Sequence, residues 1–210
     1  MALKKARDIQ KSKPKEERRS LKRNFQGLIN QLNDPDIQIR RWAARELAGF
    51  EQAVEPLCRR LQKEQVLSVQ EAILNSLLTI GGEDVVKNLI PFLRSDDAGL
   101  RNKVIEVLQA LPEAVAPYIE KLLRDPDSDV RIFAVDILQV LPHAQVPEWL
   151  LQVITTDDHV NVVAAALDRL AEVGTPEMIP ALLEVKKRFA NEPYIAFAVD
   201  TVIERTKSEA

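Results

Sequence analysis

The stretch DPDSDVRIFAVDILQVLP, residues 125–142, decides the fold. Its opening aspartates suit a helix N-terminus, where a short carboxylate accepts free backbone N–H groups and meets the positive end of the helix. Val130, Ala134 and Leu138 then recur at every fourth position, which lines them up on one helix face. Pro142 bars further helix. The same grammar stands in DPDIQIRRWAARELAGF (34–50) and DDAGLRNKVIEVLQALP (96–112). Fainter copies are QVLSVQEAILNSLLTIG (65–81), DDHVNVVAAALDRLAEVG (157–174) and NEPYIAFAVDTVIER (191–205).

The copies keep a register. The leading apolar anchors are Ile39, Val69, Leu100, Val130, Val162 and Tyr194, at spacings of 30, 31, 30, 32 and 32. Four residues on stand Ala43, Ile73, Val104, Ala134, Ala166 and Ala198; eight on stand Leu47, Leu77, Leu108, Leu138, Leu170 and Val202. Small residues in the middle of the stripe allow close helix approach. A second amphipathic pattern precedes each copy, as in Val54, Leu57, Cys58, Leu61 and again in Val146, Trp149, Leu150, Val153. Gly49, Gly81-Gly82, Pro112, Pro142 and Gly174 are expected stops for the second helices. A helix pair of this size cannot bury its own apolar face, so neighbours must stack. The expected fold is all-α: a right-handed α-solenoid of about six helix pairs. A basic leader, 1–20, precedes a single repeat domain, 21–207.

This pattern resembles the HEAT-repeat family, specifically the short bacterial type also found in phycobilisome-associated bilin lyase subunits. The resemblance covers about residues 20–205 and rests on an Asp before, and an Arg just after, the first anchor. Here these are Asp36 with Arg40, Asp97 with Arg101, and Asp127 with Arg131. The resemblance implies that these pairs tie adjacent repeats together. Copies two, five and six depart from it with Val66/Gln70, His159/Val163 and Asn191/Ile195, which implies looser or more hydrophobic junctions. The family implies a fold rather than an activity. It does raise one alternative, a bilin-lyase-like subunit, although no chromophore-handling residues stand out.

Catalytic and metal classes find little support. Cys58 is the single cysteine, so no internal disulfide forms, and its place on an apolar stripe reads as core. His143 and His159 are too few for a Cys/His metal cluster and read as surface or cap residues. No phosphate-cradling Gly loop, looped acidic Gly motif, nucleophile elbow or H-E-x-x-H is present. The expectation is therefore no enzyme and no cofactor. No apolar run approaches the roughly 18–20 residues that span a bilayer. The basic start lacks the apolar stretch of a signal peptide, so the expected location is cytoplasmic. Trp149 sits at a packing position; Trp42, at a stripe margin, reads either as packing or as a binding aromatic.

The net charge of −3 hides an asymmetry. Residues 1–63 carry 16 Lys/Arg against 8 Asp/Glu, whereas residues 64–210 carry 13 against 24. On the second helices, positions two, six and nine past the anchor point away from the stripe. The middle row reads Arg45, Asn75, Glu106, Asp136, Asp168, Asp200, with Arg41, Ile132 and Ile203 on its flanks. One reading is a solvated acidic face. The other is a partner-binding face formed by Arg41, Arg45, Glu106, Ile132, Asp136, Asp168, Asp200 and Ile203, suited to a basic amphipathic segment. The expected function is a non-catalytic scaffold, adaptor or assembly factor, monomeric or weakly oligomeric, that holds a protein partner on this face. The leader, which Pro14 and Glu16-Glu17 mark as running into a helix, reads as a solvated tail, as a ligand for an acidic protein face, or as a nucleic-acid binder helped by Arg40, Arg41, Arg45, Arg59 and Arg60. The acidic body opposes that last alternative.

Overall fold

The computed structural model describes residues 22–208, which form twelve α-helices; no strand occurs among the described residues. The expectations placed on the leader lie outside them. The helices follow in the expected order, two to a repeat. They are α1 (Phe25–Gln31), α2 (Ile37–Glu46), α3 (Val54–Leu61), α4 (Leu67–Ile80), α5 (Gly82–Leu89) and α6 (Ala98–Gln109). Then come α7 (Pro112–Leu122), α8 (Ser128–Leu138), α9 (Val146–Thr156), α10 (Val160–Val173), α11 (Ile179–Arg188) and α12 (Pro193–Ser208). They divide into two compact units, the first ending at Leu89 and the second starting at Ile90.

In the first unit α2 packs on α1 and α4, and α3 packs on α4 and α5. The stripes foretold for α2 and α4 (Ile39, Ala43, Leu47; Val69, Ile73, Leu77) are all buried. The close approach that Ala43 and Ala44 permit lets the Ser76 hydroxyl on α4 donate to the Ala44 carbonyl on α2 at 2.8 Å. Cys58 lies in the α3 core, where burial pushes its thiol up to about 12; a thiol that stays protonated is a poor nucleophile.

In the second unit the second helices α6, α8, α10 and α12 each pack on the next, and α9 and α11 pack on α10 and α12. Their inward stripes are buried throughout α6, α8 and α10. The last copy keeps Ala198 and Val202 buried as expected but loses its leading anchor. Ile195, not Tyr194, is the buried anchor of α12, and Tyr194 is 50 % exposed. A phenol suits a half-wet position because its hydroxyl needs a partner.

Several stop signals act one step away from where the pattern puts them. Gly81 does close α4: its φ of 66° and ψ of −168° lie in a region reserved for glycine. Gly82 and Pro112, however, open α5 and α7 rather than ending the helices before them, since both preceding helices are already complete. Pro is at home in a first helical turn, where a missing N–H costs nothing. Inside a helix it does cost a bond, and the helix of the third repeat accordingly gives way at Ile90–Arg94, around Pro91, to a 3-10 turn. At the front, Lys22–Asn24 are non-helical, and Asn24 caps α1 by accepting from the Gly27 N–H at 2.9 Å.

Candidate functional site

Five of the six loops between paired helices share one device. The side chains of Asp34, Glu64, Ser95, Asp125 and Asp157 each accept the N–H of the residue two further on, at 2.9, 3.0, 3.2, 3.0 and 2.9 Å. This turn aims the chain into the second helix. Asp36, Asp97 and Asp127 then cap those helices, accepting from Gln38 at 2.8 Å, Leu100 at 3.1 Å and Asp129 at 2.9 Å. The aspartates of the expected junction pairs thus bond backbone at their own helix starts.

The arginines reach further. Arg40 donates backwards to the Asp34 and Pro35 carbonyls and forwards, through Nε at 2.9 Å and Nη2 at 3.2 Å, to Glu64 of the next repeat. Glu64 also accepts from Arg60 at 2.6 Å, and its side chain is only 1 % exposed. Burial pushes that carboxyl up, but the bonds from Arg40, Arg60 and the Val66 N–H outweigh burial and hold it below the usual carboxylate range. Arg131 repeats the arrangement, donating to the Asp125 carbonyl and, bidentately at 2.6 and 3.1 Å, to Asp157. Arg101 differs. It donates to the Ser95 carbonyl and lies 5.5 Å from the ring centre of Phe133, while its Nε has no partner. The acid that would answer it, Asp125, is engaged by Arg94.

Where the pattern lapses, other residues take over. Gln70 donates to the Glu64 carbonyl at 2.7 Å in copy two. Arg188, at the end of α11, donates to the carbonyls of Ile154, Thr155 and Asp157, closing the C-terminal end of α9. A cation in the last turn of a helix was the available signal for Arg188, but its target is on a neighbouring helix, out of reach of local spacing.

The exposed ridge of the second unit has a definite shape. Asp136 on α8 and Asp168 on α10 line one groove of about 220 Å³ together with Val135, Gln139, Ala165, Arg169 and Glu172. Three carboxylates face one guanidinium, and that guanidinium already pairs with Glu172. Glu172 belongs to this group because it stands four residues beyond Asp168, on the same helix face. Asp168 is not free: the Tyr194 hydroxyl donates to both its oxygens at 2.8 and 2.9 Å, and the carboxylate holds that phenol above the ordinary tyrosine range. Asp200 on α12 accepts from Lys186 at 2.6 and 2.7 Å.

Asp136 is different. Its side chain has no hydrogen-bond or salt-bridge partner among the described residues; Gln109 of α6 bonds its backbone carbonyl, at 2.8 Å. It is half-buried, and burial alone raises its carboxyl above the ordinary value. Ile132 and Ile203 are half-buried, and Glu106 is exposed on α6. In the first unit, Arg41 is half-buried with Nε unpartnered and Arg45 is exposed, both on α2. Trp42 beside them is 52 % exposed, whereas Trp149 is buried and stacks on His143 at 4.7 Å. His159 has a buried Nδ1 without a partner. Among the described residues no three His, Cys, Asp or Glu side chains gather as a metal site, and no helix is long and apolar enough to cross a membrane.

The helix pairs, the repeated turn and the arginine that crosses to the following repeat agree with a sequence match to the profile of HEAT repeats over residues 25–109 and 115–190. The chain belongs to the HEAT-repeat family. No curated protein matches its sequence. Among solved structures, it is similar to an archaeal HEAT-like repeat protein from Thermococcus onnurineus, with 17 % identity, a TM-score of 0.48, and coverage of 94 % of this chain and 98 % of that one. A designed armadillo repeat protein in complex with the peptide (KR)4 is 19 % identical over 85 % of this chain and 98 % of that one, at a TM-score of 0.42. The complex of CpcE and CpcF of phycocyanin lyase from Nostoc sp. PCC7120 is 17 % identical over 98 % of this chain and 100 % of that one, at 0.36. At these identities HEAT-repeat membership describes the architecture, and function has to be sought in the side chains.

Proposed function

We propose that this HEAT-repeat chain is a non-catalytic adaptor or assembly factor of the cytoplasm, and that it holds a protein partner on the exposed face of its second helices. The observation that carries this reading is Asp136. A carboxylate withdrawn from water without a counter-ion costs stability, and nothing in the packing of α8 uses its charge. It stands beside Asp168 and Glu172 in a groove with small apolar walls. A cationic side chain from a partner would supply the missing ion pair, and Ile132 on the flank would cover apolar surface of the same segment. Acidic rows that serve solubility are normally fully solvated, which Asp136 is not.

The test is capture of proteins from the producing cell on immobilised chain. Asp136→Lys with Asp168→Lys is expected to lose the bound species that the wild type and an Glu113→Lys control on α7 both retain. Identical profiles for all three proteins, with folding of each verified by circular dichroism, would overturn the reading.

A further inference from the structure

The occupant of the α8 and α10 groove can be named from charge. Residues 1–21 carry eight Lys/Arg against three acids, and residues 11–15 read Lys-Ser-Lys-Pro-Lys, a cation at every second position. Residues 64–210 carry 24 acids against 13 bases. Within that acidic half, most carboxylates near the groove already have partners: Asp168 holds Tyr194, Asp200 holds Lys186, and Glu172 holds Arg169. Asp136 holds none among the described residues, and the Asp168 and Glu172 carboxylates beside it raise the negative potential that an incoming cation meets.

We propose that the basic segment 1–21 of a second copy docks in this groove, with a lysine or arginine against Asp136. The assignment rests on the reading of that groove as a protein-docking face and adds which segment fills it. Contact between the basic start of one copy and the acidic helices of another is a heterologous, head-to-tail interaction, which repeats unless geometry closes it. The groove carboxylates are exposed or half-exposed, so added salt must weaken the contact: the screening length falls from about 10 Å at 0.1 M to about 3 Å at 1 M.

The experiment uses the full chain. A fluorescein-labelled synthetic peptide of residues 1–21 is titrated by anisotropy with wild type and with Asp136→Asn/Asp168→Asn, at chain concentrations below self-association. Sedimentation velocity then follows the unlabelled chain over concentration and salt. The expected result is saturable peptide binding at low salt, weakened about tenfold or more by the double substitution. A peptide with Gln in place of Lys and Arg is expected not to bind, and assemblies that grow with concentration are expected to dissolve at 0.5 M salt. Equal binding to both chains, or none to either, overturns the proposal, and so does a salt-sensitive change in size independent of concentration, which would place the segment on its own chain. If the peptide fails while cellular partners are still lost on charge reversal of Asp136 and Asp168, the docking face stands and only its occupant is wrong.

Discussion

Glu64 and Asp136 are two part- or fully buried carboxylates with opposite fates. Glu64 is held ionised by Arg40, Arg60 and a backbone N–H, so its folded-state pKa lies below the unfolded one. The stability this contributes is present above the ordinary carboxylate range and is lost as pH falls through the folded value. Arg40→Ala removes the bidentate partner and is expected to cost about 3 kcal/mol at neutral pH. Urea unfolding should show that deficit shrinking on acidification to about pH 3. Arg101→Ala, whose guanidinium meets a carbonyl and a ring rather than a buried acid, should cost only about 1 kcal/mol. Asp136 runs the other way. Its pKa is raised in the folded state, so the penalty for its charge is absent at low pH and full above the folded value. Asp136→Asn should therefore raise the melting temperature at pH 7 and leave it unchanged near pH 3; destabilisation at pH 7 would mean the carboxylate has a structural partner. The pairing pattern of Asp and Arg in the sequence marked Arg40 and Arg131 as junction residues. It could not reveal Glu64, because an acid at that loop position looks like any other solvated Glu until two arginines converge on it.

Helices were legible wherever the stripe faced a neighbour on both sides. The four-residue spacing located α2, α4, α6, α8 and α10 by their buried positions. In α12 the stripe held at Ala198 and Val202 but not at its first position, because Tyr194 is apolar enough to pass for an anchor while its hydroxyl is what the structure uses, on Asp168, and Ile195 is buried in its place. Helix ends were less legible, since Pro and Gly serve both as stops and as starts. Gly174 is the instructive stop. Its φ of −69° would suit any residue, but a Cβ there would lie 2.6 Å from the Leu170 carbonyl oxygen and 3.2 Å from Thr206 Cγ2 of α12. Its role is to fold back tightly on the last turn of its own helix, whose Leu170 carbonyl leaves no room for a Cβ, with α12 close on the other side. Gly174→Ala is expected to destabilise by about 1–3 kcal/mol, read as a lowered urea midpoint with unchanged slope. An unchanged midpoint would show that the α10 end can move away without cost.

For the molecule as a whole, the thirty-residue period and the polarity of charge along the chain were readable directly from residue order. The partition at Leu89 and Ile90 was not, because it falls inside the helical pattern of the third repeat, where Pro91 turns the chain from α-helix to a 3-10 turn. Nor was the groove: the ridge pattern put Glu106, Asp136, Asp168 and Asp200 in one row, but only packing shows that Asp168 and Asp200 have partners and that Asp136 has none among the described residues. The central claim is that this groove is where the chain meets a protein. Site-specific photocrosslinking tests it most directly, with the crosslinker placed at Gln139 in the groove and, separately, at exposed Glu148 on α9. The expected result is adducts with a protein from Gln139 that fade when Asp136 is changed to Lys, and none from Glu148. Adducts from Glu148 alone, or adducts from Gln139 indifferent to Asp136, would contradict it.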